Sequence, residues 1–245
     1  MIILFSPSEG KQEGGTLPPL NQQNLIFPDL YPKRLEVIEH YQSLTQQGSD
    51  EELYDLFGIK DPKEYGRYKQ SFTTAPTMKA IERYDGVAYD YLAYPQLSFE
   101  SQHYIDNNTI IFSNLFGPIS AGNHIPDYKL KQGSSIGSFI PEKHYKKYFS
   151  GALDEMIGDQ EVLDLRASFY DKFYTPRNQS VTLKFLKEGK VVSHWAKAYR
   201  GIVLREAAKE KIASIQELLA MNIEGLVVRE IIKTKKKKEV IYSIV

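Results

Sequence analysis

Short apolar runs alternate with amphipathic segments along this chain, and the alternation predicts a mixed α/β fold. Residues 2–5 and 109–112 are almost wholly apolar, and residues 161–165 supply a third, less uniform run, which is typical of strands inside a sheet. Residues 34–46 and 142–157 carry apolar side chains at helical spacing. We therefore expect an α/β architecture with a mixed sheet, folded as a single compact domain over all 245 residues.

Two β-hairpins and one further helix complete the predicted outline. Residues 182–194 form a hairpin around a Glu-Gly turn, and a C-terminal β-hairpin covers about residues 225–245, with the lysine run 235–238 at its turn. Residues 77–82 are predicted to be helical, whereas residues 12–32, rich in glycine, proline and glutamine, are predicted to form a long irregular loop.

The segment of about residues 50–72 carries the signals of two short helices joined by a tight turn. Ser49 and Glu52 fit a capping box, and Asp61-Pro62 restarts a helix. One interpretation is a helix-hairpin-helix, whose turn holds a DNA phosphate through backbone N–H groups and nearby cations. An ordinary αα-hairpin with a glycine C-cap explains the pattern equally well. The residues that would face DNA are Gly58, Lys60, Lys63 and Arg67.

Polar residues follow the predicted strands at their carboxyl ends, which is where open α/β sheets bind ligands. Because parallel strands end at one edge of a sheet, we expect these polar side chains to line a common cleft. The cleft-lining candidates are Ser6, Lys11, Ser113, Arg166 and Tyr170.

Two cations follow the only tryptophan of the chain, Trp195. Lys197 and Arg200 stand three positions apart, so on a helix they share one face and could bind one phosphate or carboxylate together. The alternative is a helix start whose tryptophan belongs to the core and whose cations are surface charges. Ser168 with Lys197, oriented by Asp164, could also act as nucleophile and base, although structural hydrogen bonding accounts for the same residues.

Composition excludes several chemistries and reveals one asymmetry. The absence of cysteine excludes disulfides, thiolate catalysis and iron–sulfur ligation, and the five histidines are too scattered to predict a metal site or a cofactor. Residues 190–245 hold 12 Lys+Arg against 6 Asp+Glu, so this part carries +6 and the remainder −6, which indicates an anionic partner. Neither a signal peptide nor a membrane span is predicted, so we expect a cytoplasmic protein. We also expect it to be a monomer.

Several blocks of the sequence together resemble the YaaA family of bacterial peroxide-stress proteins. In order along the chain they are residues 1–11, 85–89, 112–118, 128–130, 164–170 and 196–201, the last reading Ala-Lys-Ala-Tyr-Arg-Gly. The resemblance implies one α/β domain with a positively charged cleft and a helix-hairpin-helix element. It also implies binding to double-stranded DNA and a role in limiting iron-driven oxidative damage under hydrogen peroxide.

Two classes of function follow from these residues and from the resemblance. In the first, the protein is a DNA-associating stress factor whose cleft residues Tyr128, Lys129, Lys197 and Arg200 and whose 58–60 hairpin contact phosphates, while Trp195 stacks on a base. In the second, the same cleft is the active site of an enzyme for a nucleotide-like or other anionic small molecule. The sequence leaves open whether the protein is an enzyme.

Overall fold

The four apolar residues of the first run form the central strand of the computed structural model, with a parallel neighbour on each side. The structure describes residues 1–234 and 237–245, apart from the side chains at 193 and 194. Lys235 and Lys236 of the predicted hairpin turn therefore lie outside the described residues.

The strands are, in chain order, β1 (Ile2–Phe5), β2 (Gly10–Lys11), β3 (Thr77–Lys79), β4 (Tyr84–Asp85), β5 (Thr109–Ser113), β6 (Gly117–Ser120), β7 (His124–Pro126), β8 (Val162–Asp164), β9 (Ser180–Lys187), β10 (Lys190–Val191), β11 (Leu226–Lys233) and β12 (Lys237–Ile244). The α-helices are α1 (Tyr31–Gln47), α2 (Asp50–Phe57), α3 (Ala80–Arg83), α4 (Val87–Leu92), α5 (Phe99–Asn108), α6 (Pro141–Ile157), α7 (Ser193–Glu210) and α8 (Ile215–Ala220). Short 3₁₀ helices cover Gln22–Asn24, Pro28–Leu30, Pro62–Tyr68, Tyr94–Gln96 and Ser168–Lys172.

Among the described residues, one mixed sheet of eight strands carries the fold. Its order is β11-β12-β9-β8-β1-β5-β6, with β10 paired to β9. The strands β12, β9, β8, β1 and β5 run parallel, and antiparallel pairs close both edges. The predicted mixed α/β fold in a single compact domain is confirmed. After β1 the chain builds β5 on one side and later returns to build β8 on the other, so β1 ends at a topological switch point, where such sheets bind ligands.

Most of the predicted elements are present. The two long amphipathic segments lie within α1 and α6, and both hydrogen bonds of the Ser49–Glu52 capping box are formed. The predicted turn of the first hairpin is also confirmed, because Glu188 and Gly189 both have positive φ, as a two-residue type I′ turn requires. The C-terminal hairpin is formed by β11 and β12.

The structure corrects two predicted elements. Residues 77–79 are a strand rather than the start of a helix, because they pair with β7 and the hydroxyl of Thr77 donates to the carbonyl of Pro18. Only Ala80–Arg83 is helical there. The second strand of the first hairpin ends at Val191 rather than at residue 194, because α7 begins at Ser193. The helices α5 and α8 and the strand β6 were not predicted from the sequence.

The helix-hairpin-helix prediction is not confirmed. Gly58 ends α2 in the left-handed conformation, as a glycine C-cap does. The element that follows is a 3₁₀ helix, Pro62–Tyr68, whose N-cap Asp61 accepts a hydrogen bond from the backbone N–H of Lys63. Within residues 1–234 and 237–245, every helix is too short or too polar to cross a lipid bilayer.

Gly201 sets the distance between α7 and α4. A Cβ atom built at this position would lie 2.0 Å from the backbone oxygen of Ala88. No residue other than glycine fits there unless one of the two helices moves. The close approach matters for the site, since Arg200 precedes this glycine and α4 forms part of the cleft described below.

We expect Gly201→Ala to lower the free energy of unfolding by about 2 kcal/mol or more, because the added methyl overpacks a backbone contact. Gly151→Ala is the matched control. Gly151 also lies inside a helix, but a Cβ there meets no atom within 4 Å, so the change should raise stability by about 0.5 to 1 kcal/mol. Urea denaturation of both variants measures the difference. Equal effects at the two positions would contradict this role of Gly201.

Candidate functional site

A cleft of about 520 Å³ opens at the carboxyl ends of β1 and β8. Three segments form it: the loop after β1, the chain from Asp85 to Tyr89 at the start of α4, and the residues after β8. The helix α7 adds Lys197 and Arg200, and Gln132 of the loop after β7 completes the lining. Phe5, Val87, Leu165 and Tyr170 give the lining an apolar part. The cleft therefore combines two cations with a partly apolar wall that includes aromatic side chains, and it lies at the switch point of the sheet.

Lys197 and Arg200 both line this cleft, as the helical spacing of three predicts. Lys197 is exposed and Arg200 is half-buried. Neither side chain makes an ion pair or hydrogen bond with any residue in the described part of the chain. Burial lowers the pKa of Arg200, and the charge of Asp164 opposes that shift. A partly desolvated guanidinium without a bound carboxylate is well suited to take an anion.

The loop after β1 is fixed by contacts to both neighbouring walls. The hydroxyl of Tyr89 donates to the backbone oxygen of Ser6 at 2.8 Å, and Ser6 Oγ accepts from the backbone N–H of Ala167 at 2.8 Å. Gly86, with a φ of 145°, leaves room for Ser8 Oγ, which would lie 2.7 Å from a Cβ at that position. Ser6 thus holds the cleft together through its backbone and its hydroxyl.

Carboxylates line the cleft beside the cations. Glu9 and Asp85 are both exposed lining residues. Glu9 Oε1 accepts from the backbone N–H of Gln132 at 3.1 Å, and its backbone oxygen accepts from Lys129 Nζ at 3.2 Å. Lys129 therefore anchors the loop after β1. The roles of Glu9 and Gln132 were missed from the sequence, because they depend on a contact between loops more than a hundred residues apart.

Lys11 lies buried beneath this loop and is only 9% exposed. Its Nζ donates to the backbone oxygens of Ser8 and Glu9 and sits 4.2 Å from the ring centroid of Tyr128. It makes no ion pair with a carboxylate in the described part of the chain. Burial, reinforced by the charge of Lys129, lowers the pKa of Lys11 to about 7.

The hydroxyl groups of Ser113 and Tyr128 form a buried network under Lys11 and do not line the cleft. The Tyr128 hydroxyl lies 2.9 Å from that of Tyr84 and 2.8 Å from Ser113 Oγ. Ser113 Oγ also accepts from the backbone N–H groups of Leu115 and Phe116. These residues stabilise the buried structure beneath the cleft and do not contribute to its lining.

The predicted catalytic group Asp164, Ser168 and Lys197 is not brought together. Asp164 is buried and bound by Arg166, whose Nε and Nη2 donate to its two oxygens at 2.8 and 2.7 Å. Arg166 Nη1 donates to the backbone oxygens of Tyr170 and Tyr174. Ser168 is exposed at the start of a 3₁₀ helix and does not line the cleft. Of the residues predicted after β8, Tyr170 does line it.

The remaining predicted contacts lie outside the cleft. Arg67 is held by Asp127 and Glu13, each at 2.6 Å, so its charge is already paired. Lys60 and Lys63 are exposed. A Cβ at Gly58 would lie 3.0 Å from the Lys131 side chain. The turn at residues 58–60 is therefore close to the loop that carries Lys129 and Gln132.

Trp195 packs at the outer part of α7. It is 37% exposed, its ring centroid lies 6.1 Å from that of Tyr199, and Lys187 Nζ lies 5.4 Å from its ring. It is not among the residues that line the cleft.

A larger groove, of about 710 Å³, adjoins the cleft and shares Asp85 and Tyr89 with it. Its lining includes the carboxylates of Glu13, Glu82, Asp85 and Asp90. Glu13 is paired with Arg67 and Asp85 also lines the cleft, but none of the described residues that line this groove is a lysine or an arginine, so the smaller cleft is the better candidate for an anionic ligand. In the described part of the chain, no three acidic or histidine side chains gather in a way that could hold a metal ion.

The fold and the cleft define a single-domain α/β protein with a cation-bearing site at the switch point of its sheet. A family model described as peroxide stress protein YaaA matches residues 1–231, and the chain belongs to this family. This family supports a role in the response to peroxide stress.

Relatives that match over most of their length agree with this assignment. The Campylobacter jejuni protein named Cj0984 is 48% identical over 244 residues, covering 100% of this chain and 99% of its own. UPF0246 proteins of Corynebacterium efficiens and Corynebacterium glutamicum are 33% and 32% identical, covering 85% and 94% of this chain and 85% and 95% of their own.

We expect Lys11→Met to reveal the unusual ionisation of Lys11 through the pH dependence of stability. The unfolded chain keeps the Lys11 proton up to about pH 10.5, whereas the folded protein loses it near pH 7. The wild type should therefore gain stability relative to Lys11→Met as the pH rises between these values. From pH 6 to pH 9 the gain should be about 2 to 3 kcal/mol.

Urea denaturation at several pH values measures this difference, and Lys143→Met, at an exposed position on α6, is the control whose difference should stay constant. A constant difference for Lys11→Met as well would mean that the buried amine keeps its proton.

Proposed function

We propose that, within the peroxide-stress response, the cleft binds a nucleotide-like anionic small molecule in the cytoplasm. The single observation that carries this proposal is the pair Lys197 and Arg200, which line the cleft without a carboxylate partner among the described residues. Arg200 would bind a phosphate as a fork and Lys197 as a point charge.

The size and the position of the cleft support this proposal. About 520 Å³ falls within the range of 300 to 1,000 Å³ that is typical of small-molecule sites. A DNA duplex is too wide to enter such a space, which would admit a phosphate, a sugar or one unstacked base. The location at a topological switch point agrees with the usual place of nucleotides in open α/β sheets.

The distribution of charge narrows the chemistry of the ligand. Glu9 and Asp85 present carboxylates in the same lining as Lys197 and Arg200. A ligand that satisfies both kinds of group carries a phosphate at one end and hydroxyl or amino donors at the other. The apolar wall beside Phe5 and Tyr170 would contact a planar ring between these ends. A nucleotide has all three features.

Double-stranded DNA is the second candidate, and one observation favours it. The loop 129–132 contacts Glu9 in the cleft and the backbone of Leu56 near the end of α2. It therefore connects the cleft with the segment that bears Lys60 and Lys63. DNA bound across the mouth of the cleft would have its phosphates on Lys197, Arg200 and these lysines. Such binding would limit iron-driven damage by shielding the DNA.

We expect the double variant Lys197→Ala/Arg200→Ala to bind ATP, ADP or AMP about a hundredfold more weakly than the wild type, because two charged contacts to phosphate are lost. Calorimetric titration of each nucleotide measures this loss. The control is Lys143→Ala/Lys147→Ala, which removes two exposed cations from α6 and should bind as the wild type does. Equal nucleotide affinity in the cleft variant and the wild type would contradict the proposal.

Titration with a DNA duplex at several salt concentrations distinguishes the second candidate. If DNA is the ligand, the wild-type affinity falls steeply with salt, and the cleft variant has a slope smaller by about two units. DNA binding with that behaviour, together with no nucleotide binding, would replace the first candidate by the second.

A further inference from the structure

Two lysine amines converge on one backbone oxygen in the wall of the cleft. Lys11 Nζ donates to the backbone oxygen of Glu9 at 3.4 Å, and Lys129 Nζ donates to the same oxygen at 3.2 Å. Ser8 and Glu9 line the cleft, whereas Lys11 lies behind them and is buried. The two amines are therefore close enough for each positive charge to disfavour the other.

The surroundings of Lys11 do little to offset its charge. Its other acceptor is the backbone oxygen of Ser8 at 3.2 Å, and no carboxylate within residues 1–234 and 237–245 forms an ion pair with it. Asp127 and Glu9 act on it from farther away, and Asp127 is already bound by Arg67 Nε at 2.6 Å. Arg67 adds a further positive charge. This environment favours the neutral amine over the protonated one.

The aromatic rings beside Lys11 keep their protons near neutral pH. Lys11 Nζ lies 4.2 Å from the ring centroid of Tyr128 and 5.3 Å from that of Tyr84. Burial raises the pKa of Tyr84 to about 12 and that of Tyr128 well above its ordinary value. No histidine is among the described residues that line the cleft. Lys11, whose pKa burial lowers to about 7, is therefore the group here whose charge changes near neutral pH.

We propose that Lys11 links the anion affinity of the cleft to pH, because it takes up a proton when an anion binds to Lys197 and Arg200. This inference rests on the proposed function, since it assigns a regulation to the same site. An anion on the cleft side of the loop after β1 attracts the positive charge behind that loop, so the protonated form of Lys11 becomes more favourable. By linkage, the anion binds more tightly when Lys11 already carries its proton.

The direction of the pH dependence follows from the protonation of Lys11 in the free and the bound protein. Below about pH 7 the free protein already carries the proton, so the anion binds with its full affinity. At higher pH, binding must include the uptake of a proton, and the affinity falls. If one nearby negative charge raises the pKa of Lys11 from about 7 to about 8, the affinity falls about eightfold between pH 6 and pH 9.

Calorimetric titration of the full chain with AMP from pH 6 to pH 9 tests this link. Each variant is compared with the wild type at the same pH, so that the ionisation of AMP itself cancels. The ratio of the wild-type affinity to that of Lys11→Met should fall about eightfold over this range. Lys129→Gln removes the neighbouring charge and should move this fall to higher pH. Lys131→Gln, at an exposed position in the same loop, is the matched control and should keep the wild-type profile.

Titration of the Lys11 Cε resonance by nuclear magnetic resonance follows the proton directly, without ligand and then with AMP. The midpoint should lie near pH 7 in the free wild type and higher both in Lys129→Gln and in the AMP complex. A midpoint near the ordinary 10.5, or one that stays unchanged although calorimetry shows that AMP binds, would overturn this inference and leave the proposed function standing. Absence of AMP binding at every pH would instead contradict the proposed function, and the link would fall with it.

Discussion

The bidentate contact between Arg166 and Asp164 is the interaction on which the carboxyl edge of the sheet depends. Asp164 is the last residue of β8, and Arg166 binds both of its oxygens while also holding the backbone oxygens of Tyr170 and Tyr174. The guanidinium lies over the ring of Phe112, 4.4 Å from its centroid. Breaking one partner of a buried pair costs about 3 to 5 kcal/mol, because the other charge stays desolvated. This contact therefore fixes the wall of the cleft that carries Tyr170.

Buried guanidinium groups hold other loops in the same way. Arg34 donates to the backbone oxygens of Phe116, Ile26 and Pro118, and Arg83 to those of Gln12 and Gly14. The acceptors lie in loops or, for Pro118, in β6, so each guanidinium ties separate segments of the chain together through their carbonyl groups. Arg200 differs from them because no backbone or carboxylate oxygen of a described residue accepts from it. That difference separates the cation of the site from the cations that support it.

The sequence predicts what depends on local pattern and fails where distant segments meet. Apolar runs identify β1 and β5, because strands buried on both faces have few polar positions. The spacing of Lys197 and Arg200 places both on one face of α7 for a similar local reason. The strand at 77–79 was missed because its pairing with β7 depends on residues 124–126. Likewise, nothing in the order of Asp164 and Arg166 distinguishes a structural fork from a catalytic group.

The helix α7 connects the cleft with the outer half of the sheet. Gly201 lets the backbone of α4 approach α7, and α4 follows the chain from Asp85 to Gly86 that lines the cleft. On the opposite side, Tyr199 of α7 stacks on Phe185 of β9, with ring centroids 5.5 Å apart. One helix therefore positions Arg200 against both the switch point and the outer half of the sheet. These contacts hold the backbone of α7, so the Arg200 side chain reaches a ligand by rotating about its own bonds while its Cα atom stays in place, and the cleft favours ligands that fit the spacing of its walls.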